Sequence, residues 1–341
     1  MSIPQRKNKN PHCSPFPYFK RPFFLIFLTL FFLLNAFDVS AGTVADKNAG
    51  QNRPQIEQTA NGRELVQIAT PNGAGLSHNK YTTFNVDPSG LIFNNSRTNV
   101  NTQLGGWIAG NSFLANGPAR SILNEVTSSN RSYLNGYMEV AGQRADVIVA
   151  NPNGITCSGC GFINAARGVL TTGTPLFGSS GSLDGFRVTG GNITIGSGGF
   201  LDRSADQVDL LARSIAVNGE IWANRLNIIA GANLVNYANL GVQVIQGDDG
   251  KPTVAIDSAQ LGGMYANKIM LIGTEKGVGV NLSGVNAALD GGFPLDADVP
   301  QCLPCIELPQ LYVMRANTGE TDPAMDLHYY FAMLQEENAD A

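Results

Sequence analysis

Ala150-Asn151-Pro152-Asn153-Gly154-Ile155-Thr156-Cys157-Ser158-Gly159-Cys160-Gly161-Phe162-Ile163-Asn164 packs turn formers, two cysteines and strand formers into one short segment, without a carboxylate, histidine, lysine or arginine among them. Asn at the first position of a turn, Pro fixing φ at the second and Gly at the fourth fit a type I β-turn, and Asn153 between them tolerates a less common backbone conformation. The preceding run, Ala145 to Ala150, is short, apolar and β-branched, which predicts a strand. The segment therefore reads as strand, corner, strand: architecture, not chemistry.

Outward from that corner the same grammar recurs. Charged residues make up 14% of the chain, against about 25% in an ordinary soluble domain, and 39 of the 341 residues are Gly. Few ion pairs and many tight corners favour an all-β stack of short strands joined by turns. Alternating apolar positions predict strands at Leu65 to Ile68, Leu91 to Phe93, Tyr137 to Val140, Val147 to Val149, Ile193 to Ile195, Ile215 to Val217, Leu226 to Ile229, Gln243 to Ile245, Val254 to Ile256 and Ile269 to Ile272. Ile221 to Ala230 (IWANRLNIIA) lies over Met264 to Gly273 (MYANKIMLIG) at an offset of 43. Coils of roughly 20 residues are usual in stacked repeats, so the offset predicts two coils. A β-sandwich could also give short regular strands, but the repeat argues against it.

Residues 1–41 have the three parts of a secretory signal. Arg6, Lys7, Lys9, Lys20 and Arg21 precede an apolar run from Phe23 to Leu34, and small residues follow at Ser40 and Ala41. Cleavage is expected after Ala41, with export from the cytoplasm into the periplasm. Removal of that segment leaves 17 basic against 26 acidic residues, so the basic face that a nucleic-acid binder needs is not expected. Residues 42–292 form the expected main domain. Residues 293–341, with five prolines, an acidic tail and no coil-like period, are expected to be an irregular tail.

Six ordered blocks carry a resemblance. They are Pro71-Asn72 with Gly75 to Asn79 and Phe84 to Asp87; Gly90 to Ser96; Ile122-Leu123-Asn124-Glu125-Val126; Leu134 to Gly142; Asn151-Pro152-Asn153-Gly154-Ile155; and Leu170 to Gly173. Together they resemble the N-terminal secretion (haemagglutination activity) domain of the filamentous haemagglutinin family, the large exoproteins of bacterial two-partner secretion. The match is strong over about residues 50–190 and fades towards 290. Many members carry Asn-Pro-Asn-Leu where this chain has Asn111-Ser112-Phe113-Leu114.

The resemblance implies a right-handed parallel β-helix with an N-terminal cap and small extra-helical β elements. Residues 50–90, with Tyr81 and Phe84, are the expected cap. It also implies a secreted or cell-surface adhesin-type module exported through a cognate outer-membrane β-barrel transporter, with a host-cell or bacterial surface receptor as a further partner. Asn151 to Ile155 and Ile122 to Val126 are the expected transporter-recognition or turn residues. An alternative within the same family is the delivery stalk of a contact-dependent growth-inhibition toxin.

Cys157 and Cys160, and again Cys302 and Cys305, share one spacing. The two pairs are too far apart for a zinc ribbon, whose halves lie about 15–20 residues from each other. The exported compartment is oxidising, so a local disulfide in each pair is expected, with zinc or free thiols as alternatives. A disulfide across so short a loop would stiffen a turn more than stabilise the fold.

Acid–base chemistry has little to draw on. After Ala41 the histidines are His78, expected at a turn, and His328, and the nucleophile-elbow, zinc-protease and Walker patterns do not occur. Asp202, Asp206 and Asp209 could form a carboxylate cluster of a β-helical polysaccharide-cleaving enzyme, yet they read as solvated loop charges. The expectation is a protein without catalytic residues, cofactor or metal.

Overall fold

The computed structural model describes residues 42–202, 204–248, 250–258, 262–275, 278–282, 285–288, 293–298 and 309–314, the last three ranges as backbone alone. The expected signal segment 1–41, Cys302, Cys305 and His328 lie outside the described residues. All ten predicted strands fall on observed ones, with Ile68 and Ile245 one position beyond their ends.

The chain visits three parallel sheets in a fixed order. In one coil, Tyr137–Gly142 lies in sheet two, Ala145–Ala150 in sheet one and Ile155–Cys157 in sheet three; Gly161–Ile163 then returns to sheet two and Ala165–Thr171 to sheet one. Each strand pairs in parallel with its counterparts in the coils before and after, as Ile122, Val147 and Gly168 do in sheet one. This is a parallel β-helix. A strand buried on both sides reads as a continuous apolar run, which explains the Ala-Asp-Val-Ile-Val-Ala sequence.

The core lies between the three sheets, with Ile122, Val147, Val149, Ile155, Ile193, Val208 and Ile228 among its members. Each such side chain, fully buried, is worth about 1.5–3 kcal/mol relative to leaving it in water. One coil alone cannot bury these residues; stacking does.

The 43-residue repeat is one coil, not two. Ile221 pairs directly with Met264, and the offset holds through Ala230 and Gly273, whereas Val208 to Leu226 marks a bare coil of 18. The extra length is an excursion carrying Asn233–Asn236 and Val242–Val244. An earlier excursion carries Thr174–Phe177 and Leu183–Val188. Both leave the coil between sheet one and sheet three, and they join as a four-stranded antiparallel outer sheet. Its Phe186, Val235 and Leu240 cover the outward Leu123, Ile148, Val169 and Ile229 of sheet one. A smaller hairpin, Val100–Thr102 with Gly106–Ile108, covers Leu65, Ile92 and Ala141 of sheet two.

The N-terminal closure begins before residue 50. Val44–Ala45 pairs antiparallel with Leu76–Thr83, and Gln55–Gln58 antiparallel with Glu64–Gln67, which blocks further parallel addition at those edges. Tyr81 and Phe84 are buried inside, where Phe84 stacks towards Phe93. Sheet one reaches into the 293–341 stretch through Phe293–Asp298, parallel to Gly263–Gly273, and Pro309–Met314, antiparallel to it.

Candidate functional site

The quoted corner closes as a turn: the Gly154 amide donates to the Asn151 carbonyl at 3.0 Å. Gly154, not Asn153, takes the left-handed backbone, with φ of 99°. A side chain there would also strike the Arg131 guanidinium and the Asn192 carbonyl, so two constraints select glycine.

Asn151 is wholly buried and ties three successive coils. Its Nδ2 donates to the Asn130 carbonyl and to Ser132 Oγ, both at 2.9 Å, its Oδ1 accepts from the Asn153 amide at 3.0 Å, and its own amide donates to the Thr171 carbonyl at 2.9 Å. Asn153 is exposed and donates through Nδ2 to the Ser128 carbonyl at 2.7 Å. Pro152 is exposed, and Ile155 faces the core.

Ile122 to Val126 forms the strand Ser121–Val126 of sheet one. Ile122 and Val126 point into the core and Leu123 points out under the outer sheet. Asn124 accepts from the buried Tyr81 hydroxyl at 2.9 Å and donates to the Ile148 carbonyl at 3.1 Å. Glu125 meets His78 Nε2 at 2.6 Å and Lys80 at 3.5 Å. Burial pushes the Glu125 carboxyl up, but the hydrogen bond and charge of His78, with Lys80, more than offset it and hold it below its ordinary value. His78 is therefore a mid-strand residue of Leu76–Thr83, not a turn residue, and its ring packs on Phe177 of the outer sheet at 5.2 Å.

Cys157 and Cys160 form a disulfide, buried at the corner between sheets three and two. Asn111 survives the departure from the family pattern by capping its own short turn: its Oδ1 accepts from the Phe113 amide at 2.9 Å and its Nδ2 donates to the Ile68 and Asn94 carbonyls at 3.0 Å. Phe113, at the family's Asn position, is exposed.

The three aspartates do not converge as solvated loop charges. Asp206 is exposed and pairs with Arg144. Asp202 is buried and caps the Ser204 and Ala205 amides. Asp209 is buried in sheet one, bonded to Arg167, Gln207 and Asn227. The Arg167 guanidinium also lies 4.4 Å over the Tyr237 ring, and the Tyr237 hydroxyl donates to Asp146. Asp209 thus fastens the outer sheet. Among the described residues no three His, Cys, Asp or Glu side chains gather as a metal site would require.

Arg131 is the residue that sequence reasoning passed over. It fans across the corner to Thr156 Oγ1, the Ile155 carbonyl and Asn192. A lone arginine between Asn130 and Ser132 carries no spacing signal, because its partners lie as far as 61 residues away.

Comparison with known proteins matches residues 41–292 to the family model of the TPS secretion domain. A toxin CdiA of Yersinia pestis is 49% identical over 260 residues, which is 76% of this chain and 8% of that protein. A tRNA nuclease CdiA of Escherichia coli strain NC101 is 49% identical over 249 residues, 72% of this chain and 8% of that protein. A tRNA nuclease CdiA-2 of Burkholderia pseudomallei is 44% identical over 261 residues, again 8% of its length. The crystal structure of the filamentous hemagglutinin secretion domain superposes with a TM-score of 0.66 at 30% identity, covering 73% of this chain and 95% of that one. The chain therefore spans less than a tenth of the length of these curated relatives.

Proposed function

Because the chain belongs to the TPS secretion domain family, we propose that residues 42–292 are an export module read by a cognate outer-membrane β-barrel transporter, and that reading precedes folding. One observation supports this order above all others. Of the ten residues in the two matched segments, Pro152 and Asn153 alone are exposed once the coils close, with Glu125 partly so. A transporter that reads these side chains must meet them in an extended chain, where strand addition to an open sheet edge supplies main-chain bonds and alternate side chains supply selectivity. Winding on the far side then buries the apolar set coil by coil, and that free energy favours outward movement.

Secretion into the medium from a strain carrying the transporter tests the reading. Asn151→Ala and Asn153→Ala should each lower the exported amount. Unchanged export with unchanged folding would remove both residues from the recognition role.

The module acts without catalysis of its own, as part of a secreted or cell-surface exoprotein with a periplasmic passage after signal cleavage. Purified residues 42–341 should leave acidic polysaccharides intact, and turnover there would overturn this. A second reading, the delivery stalk of a contact-dependent toxin, is favoured by the names of the relatives, which are toxins and nucleases. Co-culture separates it from an adhesin: a toxin-delivering strain arrests its neighbours, an adhesin strain binds surfaces and does not.

A further inference from the structure

A half-buried carboxylate, Glu64, sits against the start of the described chain. Thr43 is nearly enclosed, its hydroxyl donates to the Asn85 carbonyl at 3.1 Å, and its amide donates to both oxygens of Glu64 at 3.2 Å. Glu64 Oε2 lies 2.5 Å from the place where a Cβ on Gly42 would stand. The nitrogen of Gly42 is bonded to the same Cα, so it comes within about 5 Å of that oxygen. A larger residue at position 42 would make the carboxylate swing aside.

The site is short of positive charge. Among the described residues no lysine, arginine or histidine forms an ion pair with Glu64, while Asp87 faces it across a small polar cleft shared with Gln58, Asn85 and Ser89. Burial pushes the Glu64 carboxyl above its ordinary value, the Thr43 bonds act the other way, and the Asp87 charge adds a smaller upward push; Glu64 in turn pushes the buried Tyr81 hydroxyl further up. A half-buried carboxylate with an acidic neighbour and no cation gains from a positive group placed beside it.

We propose that cleavage after Ala41 supplies that group: the new α-ammonium of Gly42 pairs with Glu64 and completes the N-terminal cap. Water adds across the Ala41–Gly42 amide. The acyl carbon leaves as the Ala41 carboxylate, and the Gly42 nitrogen, a neutral single donor before the cut, becomes an ammonium with three. Before the cut Glu64 has, among the described residues, the Thr43 amide and no cation, so the first coil should close more firmly after processing. Winding is thereby linked to release from the signal segment. This rests on the export reading for the processing step alone.

The test uses the processed chain, residues 42–341, made by cutting at a protease site placed directly before Gly42. The α-amine should titrate about one unit or more above its ordinary value of about 7.7–8.0 by nitrogen-15 NMR, and Glu64→Gln should return it there. Acetylating the amine should speed unfolding about tenfold with Glu64 present, the equivalent of one such unit, and leave Glu64→Gln unchanged. An ordinary amine pKa, an equal effect of acetylation in both chains, or secreted protein that begins at a residue other than Gly42 would overturn the proposal. Failure of export with a raised amine pKa would sink the functional reading and leave the ion pair standing.

Discussion

The two motif segments, Ile122 to Val126 and Asn151 to Ile155, are equally faithful to the family pattern and do different things in the fold. The first is a strand whose side chains fill both faces of sheet one. The second is a corner whose one buried polar side chain, Asn151, spends its hydrogen bonds on the backbone and hydroxyl groups of neighbouring coils. Matching a motif thus does not say whether a residue is read or packed. In the strand the two roles cannot be held at the same time, while at the corner Pro152 and Asn153 stay in view.

Mutations can break or sharpen that contrast. Leu123→Ala removes a wholly buried side chain from between sheet one and the outer sheet and should cost about 2–5 kcal/mol, measured by urea unfolding. Asn151→Ala leaves the Asn130 carbonyl, Ser132 Oγ and the Asn153 amide without their partner, a loss of about 1–3 kcal/mol. If both variants lose export in proportion to stability, the segments act through folding alone.

Asn153→Ala and Pro152→Ala should cost less, about 1 kcal/mol or under, because the side chains are exposed. A large drop in export for either would then mark recognition, whereas export in step with stability would place the corner with the strand. Glu125→Gln keeps the side chain's shape and a hydrogen bond to His78 and should have the smallest effect, about 1 kcal/mol near neutral pH, although the pair is largely enclosed. The folded carboxyl lies below its ordinary value of 4.5, so its contribution is present above that value and lost as pH falls through the folded one. The gap between wild type and Glu125→Gln should close on acidification; a gap that widens would contradict the His78–Glu125 pair.

Strands and the corner were legible in the sequence because they depend on neighbours: β-branched alternation for Ala145 to Ala150, and Asn-Pro-Asn-Gly for the turn. What depended on distant coils was not. The 43-residue offset says nothing by itself of whether the extra residues wind or leave the coil, so one coil with an excursion read as two. Asp209 looked solvated because its apolar cover, the outer sheet, is built from two excursions, Thr174 to Val188 before it and Asn233 to Val244 after it, and Arg167 comes from the coil before. His78 looked like a turn residue since Gly75 and Asn79 surround it, yet its partner Glu125 is 47 positions away.

Purified periplasmic domains of the cognate transporter give the most direct test of whether reading comes before winding. Their affinity would be measured for the folded chain and for Val147→Asp, which places a charge in the core and leaves both motif segments intact. Binding to the unwound variant at least about tenfold tighter, a difference of about 1.4 kcal/mol, is the expected result. Equal or tighter binding to the folded chain would contradict it.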